Sequence, residues 1–317
     1  MLRPGVARVT VADLVVALVR HVNFTVQRMS NTLAWISMVV CLLLSVAPIL
    51  VRAYYRVPVM GSHWTHATIF GNFIFCQFFF SVTLINYLRV IIVDFHRRCS
   101  ALRHLEALSG RVAKAMNSSV RRVDEPILAL DSADNVLAWL LVRRLTINMG
   151  LRYYRRLQSY TSQALVLTIG VAVGVLGALV FMQHAPANVF AIVAFAVVGL
   201  GMLVLLSVHM LLILYYGAST NAENVVHSAV LKARKVELLQ AALQAQAADD
   251  RATERRLNGI ALMLDNVADI VQFDAQLEPV CVLGVPATFS LIQAMLAGAA
   301  SAVSASIALL PKIINAG

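Results

Sequence analysis

The fold is decided by the stretch ALVLTIGVAVGVLGALVFMQHAPANVFAIVAFAVVGLGMLVLLSVHMLLILYY (residues 164–216), in which no Asp, Glu, Lys or Arg occurs. A helix of about 20 apolar residues crosses a bilayer, so this stretch is long enough for two spans. The polar segment 184–188 contains Pro186, and proline stops a helix. We therefore expect one span at residues 159–182 and another at residues 189–216.

Three further stretches lack charged residues and are each long enough for one span. They predict spans at residues 31–51, 65–88 and 280–310. The whole chain is 60% hydrophobic and only 13% charged, whereas a soluble domain has about 45–50% apolar and about 25% charged residues. This composition argues against a soluble enzyme, a secreted module and a disordered chain, and it predicts a membrane protein with five spans.

The basic residues predict the orientation of these spans. Of the 26 Lys and Arg residues, 23 lie before the first span, between the second and third spans, or between the fourth and fifth. Because cytoplasmic segments carry an excess of Lys and Arg, we expect a cytoplasmic N-terminus and an external C-terminus in the plasma membrane. The N-terminus is rich in Arg and poor in acids, which leaves a mitochondrial membrane as the alternative.

The segments between the spans have helical apolar spacing rather than loop composition. Residues 221–248 carry Val225, Ala229, Ala233, Val236, Leu239 and Leu243 on one stripe. Residues 251–272 carry Ile260, Leu262, Leu264, Val267 and Val271 on one side. Basic helices lying on the membrane surface are one interpretation. However, the segment after the fourth span has nine acids against six bases, and an anionic leaflet repels acids. We therefore favour a packed cytoplasmic bundle.

The predicted fold is all-α, a polytopic transmembrane helical protein with a cytoplasmic helical anchor bundle. Residues 1–30 form a cytoplasmic amphipathic segment, and residues 31–88 hold the first two spans. Residues 89–158 are cytoplasmic helical extensions, and residues 159–216 hold the third and fourth spans. Residues 217–279 form the anchor helices, and residues 280–311 hold the last span.

Signatures of catalysis are missing from the sequence. It has no HExxH, GxSxG, Walker, CxxC or GxGxxG motif, so we predict no enzyme activity, no cofactor, no metal site and no nucleic-acid partner. His209 is a functional candidate because polar groups inside a membrane are often functional. A neutral His bonded to a neighbouring helix is the simpler interpretation. Gly170, Gly174 and Gly177 predict close helix packing.

The fifth span carries a stripe of polar and small residues beside an apolar one. At 100° per residue, Ile292, Leu296, Val303, Ile307 and Leu310 share one face. Ser290, Gln293, Ala297, Ser301, Ser304 and Ala308 share a neighbouring stripe. Small residues favour tight helix packing. Alternatively, Gln293, Ser301 and Ser304 could line a pore and offer hydrogen bonds to an ion. The stripe alone leaves both interpretations open.

Four segments follow the pattern of a known family. They are Phe95-His96-Arg97-Arg98 with Leu102-Arg103-His104-Leu105, residues 211–216 with Ala222-Glu223-Asn224, residues 271–274, and residues 282–291. In these segments, within roughly residues 89–310, the chain resembles the insect gustatory and odorant receptor superfamily, which includes gustatory-receptor-like proteins outside insects. Members have seven spans. Where their closing motif has Thr-Tyr and Gln-Phe, this chain has Ala302-Val303 and Leu309-Leu310.

The resemblance implies a ligand-gated cation channel or chemoreceptor subunit with an unknown small-molecule ligand. It also implies a homotetramer around a pore formed by the last helix. Gln293, Ala297, Ser301 and Ser304 would then line the pore. Leu296, Val303 and Ile307 would form a hydrophobic gate or a packing face. A non-conducting membrane scaffold or organelle-membrane protein is the alternative.

Overall fold

The protein is almost entirely helical, as its sequence predicts. The structure, a computed structural model, describes residues 11–56, 63–109, 128–148, 151–184 and 189–316. It is about 91% helical. The described residues form the helices α1 (Val11–Tyr54), α2 (His63–Leu108), α3 (Ala133–Asn148), α4 (Leu151–His184), α5 (Val189–Ala247), α6 (Arg251–Leu277) and α7 (Phe289–Ala316). A two-stranded sheet pairs β1 (Cys281–Val282) with β2 (Val285–Pro286).

Five helices, namely α1, α2, α4, α5 and α7, are long and apolar enough to cross a membrane. Four of them contain the predicted spans 31–51, 65–88, 159–182 and 189–216, and α7 contains the predicted last span from Phe289 onward, so the chain is a multi-pass membrane protein. Some of these helices are longer than a bilayer requires. The 59 residues of α5 extend about 90 Å at 1.5 Å per residue, whereas the hydrocarbon core is about 30 Å thick.

Residues Asp249 and Asp250 separate α5 from α6, as expected from the predicted helices at residues 221–248 and 251–272. Asp249 has a positive φ of 54°, which few residues other than Gly adopt without strain. The carboxylate of Asp250 then accepts a hydrogen bond from the backbone N–H of Thr253 and so caps α6. Hydrogen bonds from the side chain and then the backbone of Thr253 lower the pKa of Asp250, because they favour the charged form.

The chain forms two compact units. Unit 1 contains Met1–Gln27, Phe95–Arg155 and Tyr216–Cys281, and unit 2 contains Arg28–Asp94, Arg156–Tyr215 and Val282–Gly317. Unit 1 holds 15 of the 16 acidic residues and 20 of the 26 basic ones. Charge is therefore concentrated in unit 1, whereas unit 2 consists mainly of apolar helices.

In unit 2, close helix packing depends on glycines of α5 rather than on those of α4. A Cβ added at Gly201 would collide with the side chain of Leu44 on α1, and one at Gly199 would meet Val175 at 3.0 Å. By contrast, open space surrounds Gly170, Gly174 and Gly177. The prediction that these three glycines pack against another helix is therefore wrong within this chain.

The last span begins later than the predicted residue 280. Residues 281–286 form the hairpin of β1 and β2 instead, with Leu283 and Gly284 at φ values of 52° and 77°. Two successive positive φ angles define a tight hairpin turn. Asn221 holds the entry to the hairpin, because its amide donates to the Val280 carbonyl (3.0 Å) and accepts from the Val280 N–H (2.8 Å).

Candidate functional site

The candidate site is α7, which packs in unit 2 through one face. The side chains of this packed face are Leu291, Ile292, Met295, Ala299, Ala302, Val303, Ser306 and Leu309, all buried or half-buried. Leu309 contacts a core of Val175, Leu179, Ile192 and Ala196 from α4 and α5. Ser306 is fully buried and donates to the carbonyl of Ala302 in the preceding turn.

The predicted pore-lining residues lie on the opposite side of α7. Gln293, Ala297, Ser301 and Ser304 are all exposed. With about 100° between successive residues, this polar stripe is centred about 180° from the packed face. The structure therefore brings the four residues together on one surface, which is exposed in the part of the chain that the structure describes.

The predicted apolar group of α7 is divided between two environments. Val303 is half-buried at the margin of the packed face. Leu296 and Ile307 are 54% and 56% exposed, so they do not form a packing face within this chain. They flank the polar stripe instead, and their role as a gate stays a prediction.

His209 forms hydrogen bonds with both of its ring nitrogens. Its Nδ1 lies 2.8 Å from the carbonyl oxygen of Leu205, and its Nε2 lies 3.2 Å from Oγ of Ser37 on α1. A carbonyl can only accept, so Nδ1 carries the proton and the Ser37 hydroxyl donates to Nε2 of the neutral ring. This geometry fits the simpler interpretation of His209 as a satisfied polar contact.

A buried arginine joins three helices of unit 1. Arg143 on α3 is fully buried and donates from Nη2 to Asn224 Oδ1 on α5 (3.1 Å). Its Nη1 lies 3.4 Å from Oδ2 of Asp274 on α6. Burial lowers the pKa of Arg143 to about 10, and the negative charge of Asp274 acts in the opposite direction. Periodicity in the sequence did not predict this cluster, because Asn224 and Asp274 lie on other helices far along the chain.

Acids of the segment after the fourth span pair with bases of the same unit. Lys235 lies 2.8 Å from Asp265, and Lys232 lies 3.4 Å from Asp269, so two ion pairs join α5 to α6. A third pair joins Arg103 of α2 to Glu223 of α5 at 2.6 Å. These contacts support the interpretation of the segment as a packed bundle. The pairing was not predicted, since charge patterns alone do not specify partners between helices.

The predicted packing stripe of α5 is exposed in the single chain. We name the exposed residues Val225, Ala229, Val236, Leu239 and Leu243 the α5 seam; the sixth predicted residue, Ala233, is half-buried. Val225 and Leu243 are each 65% exposed, and Val236 is 52% exposed. The seam residues are four, seven, three and four positions apart, which fits the apolar positions of the heptad pattern of helices that pack in coiled coils. On α6, Leu262 is also exposed, contrary to prediction, while Ile260, Leu264, Val267 and Val271 are buried.

The described residues contain no group of three or more His, Cys, Asp or Glu side chains that could hold a metal ion. No protein-family model, curated protein or solved structure matches this chain.

Proposed function

We propose that this chain is a gustatory-receptor-like membrane protein and a subunit of a ligand-gated cation channel, with α7 lining the conduit. The observation that carries the proposal is the exposed polar stripe of α7, directly opposite its packed face. Polar side chains in membranes usually face a bundle interior or a water-filled cavity. In the described residues of one chain the stripe is exposed, and a conduit shared by several copies would account for it.

The α5 seam supports assembly of the same chain into a homo-oligomer, which we propose is a tetramer. Exposed Val and Leu residues at heptad spacing are suited to a neighbouring helix. We propose that unit 1 is the cytoplasmic anchor, because it carries most of the charge and 20 of the 26 basic residues. By the same positive-inside argument, the N-terminus is cytoplasmic and the C-terminus external, in the plasma membrane.

Cysteine accessibility on α7 tests the proposal. Exposed Cys76 and half-buried Cys281 are first replaced by Ala to remove background reaction. Ser301→Cys and Ser304→Cys should then react with a small charged thiol reagent. Such reagents react with the thiolate, and a thiol ionises to a thiolate where water reaches it. The reaction should change ion flux in proteoliposomes.

Ser306→Cys is the matched control, because the same substitution on the same helix places the thiol on the buried face. It should stay unreactive. If Ser301→Cys and Ser304→Cys are as unreactive as the control in every state, with and without candidate ligands, then no face of α7 is exposed to water in the membrane. The chain would then be a non-conducting scaffold.

A further inference from the structure

One face of α2 is exposed in unit 2 and combines aromatic with polar side chains. Cys76 and Thr83 lie along its centre, with exposed phenylalanines on both sides. These phenylalanines are between 45% and 63% exposed. We name this surface the α2 face, and its residues are Asn72, Phe73, Cys76, Phe79, Phe80 and Thr83.

Asn72 of the α2 face lies inside the hydrocarbon core of the membrane. No Asp, Glu, Lys or Arg occurs between residues 63 and 88, and about 20 helical residues cross the core. Every stretch of that length within residues 63–88 includes residues 69–82, so Asn72 is in the core wherever α2 sits. Its carboxamide makes no hydrogen bond with a residue that the structure describes. A polar side chain at that depth indicates a protein partner.

The face of α4 that carries Gly170, Gly174 and Gly177 is also unoccupied. A Cβ added at any of the three would have open space around it. Val166 and Leu167 are exposed and lie about 40–60° to either side of Gly170 on the helix. The three glycines therefore form the floor of a shallow groove, which we name the glycine groove. Glycines in a spanning helix let another helix approach closely.

Contacts within unit 2 relate the heights of α2 and α4. Oγ of Ser81 on α2 donates to Sδ of Met202 on α5 (3.5 Å), so these two residues are level. A Cβ at Gly199 on α5 would meet Val175 on α4 at 3.0 Å, so those two are level as well. Because Gly199 precedes Met202 by three residues and α5 runs in the same direction as α2, Val175 is level with position 78 of α2.

The α2 face and the glycine groove lie at the same height. Successive spans cross the membrane in opposite directions, so positions that fall along α2 rise along α4. Two residues from position 78, Cys76 is therefore level with Gly177. The rings of Tyr87 on α2 and Tyr160 on α4 are in contact, with 5.6 Å between centroids, and counting from that contact places Cys76 level with position 171. Residues 171–177 lie within the glycine groove.

We propose that the α2 face of one copy of this chain packs into the glycine groove of the next copy, in a ring whose axis is normal to the membrane. Rotation about such an axis leaves every residue at its own height, so two faces of equal height meet on neighbouring copies. Contact between two different faces is heterologous, which is the type of interface that closes into a ring. This packing assumes the homo-oligomer of the proposed function but does not depend on conduction by α7.

The two surfaces are complementary in shape and size. Aromatic side chains of the α2 face would lie on the glycine floor, between Val166 and Leu167. The exposed parts of Phe73, Phe79 and Phe80 amount to on the order of 300 Å², since an aromatic side chain buries about 150–250 Å². A stable interface buries about 800 Å² on each partner, and the α5 seam of the same copies adds to the area. Asn72 would reach backbone carbonyls that the glycines leave uncovered.

Disulfide cross-linking in native membranes tests this contact. The starting chain carries Cys281→Ala, which leaves Cys76 as its exposed cysteine, since Cys41 and Cys99 are buried. Gly174→Cys and Gly177→Cys are added separately, and the thiols are oxidised with copper phenanthroline. Each chain can then be linked to two neighbours, so we expect a ladder of species larger than the dimer on a non-reducing gel.

Three controls define the partner of Cys76. Cys76→Ala should abolish the ladder of Gly174→Cys. Ile169→Cys places a thiol at an exposed position of α4, about 100° round the helix from Gly170, and should give no ladder. Equal cross-linking with Ile169→Cys would mean random collision and would overturn the contact. A dimer formed by the starting chain alone would mean that α2 packs against α2 across a twofold axis, and would also overturn it.

A substitution that fills the groove tests its role in assembly. Gly174→Leu has open space in the single chain, so the variant should fold. In the oligomer the added side chain would collide with the α2 face, and such overpacking should raise the dissociation constant about tenfold or more. Mass photometry in mild detergent is the measurement. Gly259→Leu on α6 is the matched control, because Gly259 also has open space around it, and it should assemble normally.

The outcomes separate this contact from the proposed function. If the unmodified chain is oligomeric while neither cysteine pair forms and Gly174→Leu assembles like Gly259→Leu, the contact between the α2 face and the glycine groove is wrong and the homo-oligomer stands. If the unmodified chain is monomeric in membranes and in detergent, the proposed assembly itself is wrong, and this contact with it.

Discussion

The hydroxyl of Ser37 on α1 donates a hydrogen bond to Nε2 of His209 on α5, with 3.2 Å between the two heteroatoms. Both side chains are buried, and the second ring nitrogen of His209 bonds within its own helix. This contact joins two spanning helices of unit 2 through polar groups. In a bilayer, where water cannot replace a lost partner, it contributes to helix association.

A double-mutant cycle measures that contribution. Ser37→Ala and His209→Leu should show a coupling free energy of about 0.6 kcal/mol, with about 1.7 kcal/mol as the upper end for such contacts in membranes. The measurement is the free energy of unfolding in mixed micelles. Ser45→Ala is the control, because the Ser45 hydroxyl donates to the Cys41 carbonyl of its own helix. Paired with His209→Leu, it should be additive, and additivity of Ser37→Ala as well would contradict the interaction.

The Arg143–Asp274 pair predicts an asymmetry between its two partners. The Arg143 side chain is 0% exposed, whereas that of Asp274 is 33% exposed. Asp274→Ala leaves a buried charge whose one remaining partner among the described residues is Asn224, and an uncompensated buried charge costs about 3–5 kcal/mol. Arg143→Met leaves a carboxylate that reaches water, so its cost should be smaller, about 1–2 kcal/mol.

Denaturant unfolding of the two variants checks this order. Asp269→Ala, which breaks the exposed pair with Lys232, is the control and should cost less than about 1 kcal/mol. A greater loss with Arg143→Met than with Asp274→Ala would mean that Arg143 stabilises unit 1 by packing rather than by charge.

The α5 seam predicts a variant that assembles poorly but folds normally. Leu239 is 37% exposed, so Leu239→Asp should leave the single chain stable. At an interface between copies, the new carboxylate would be buried without a partner, at a cost of several kcal/mol, on the order of 3–5. The oligomer in mild detergent should therefore dissociate, as measured by mass photometry.

Gln244→Asp is the matched control, since Gln244 is exposed on α5 about 100° round the helix from the seam. It should assemble normally. Assembly of Leu239→Asp at the level of the control would place the seam outside the subunit interface and would favour helices lying free on the membrane.

Tag accessibility tests the orientation. An epitope at the N-terminus and one in the exposed turn at Asp249 and Asp250 should be protected in intact cells, while a C-terminal epitope should be labelled. The reason is that basic residues are concentrated before the first span, between the second and third spans, and between the fourth and fifth, and such segments are usually cytoplasmic. A labelled Asp249 turn with a protected C-terminus would reverse the topology. In mitochondria, the same tags would be tested against the organelle membrane.

The sequence by itself determined that the chain is helical and crosses a membrane. Gaps between charged residues locate spans because the bilayer core admits few charges. Four predicted spans lie wholly in spanning helices of the structure, and the fifth lies in α7 from Phe289 onward. The break at Asp249 and Asp250 was also predictable, since it depends on local backbone chemistry. The stripe of Gln293, Ala297, Ser301 and Ser304 was visible from helical periodicity alone.

Only the tertiary structure decided which surface each stripe faces. Periodicity places Val225 and Leu243 on one line, but it cannot tell a stripe buried in the same chain from one left exposed. The partners of Arg143 lie 81 and 131 residues away, and no local pattern specifies contacts at such separations. Likewise, the apolar composition before α7 predicts a helix, but the structure has a hairpin there. Two long-range hydrogen bonds between Asn221 and Val280 hold the start of that hairpin.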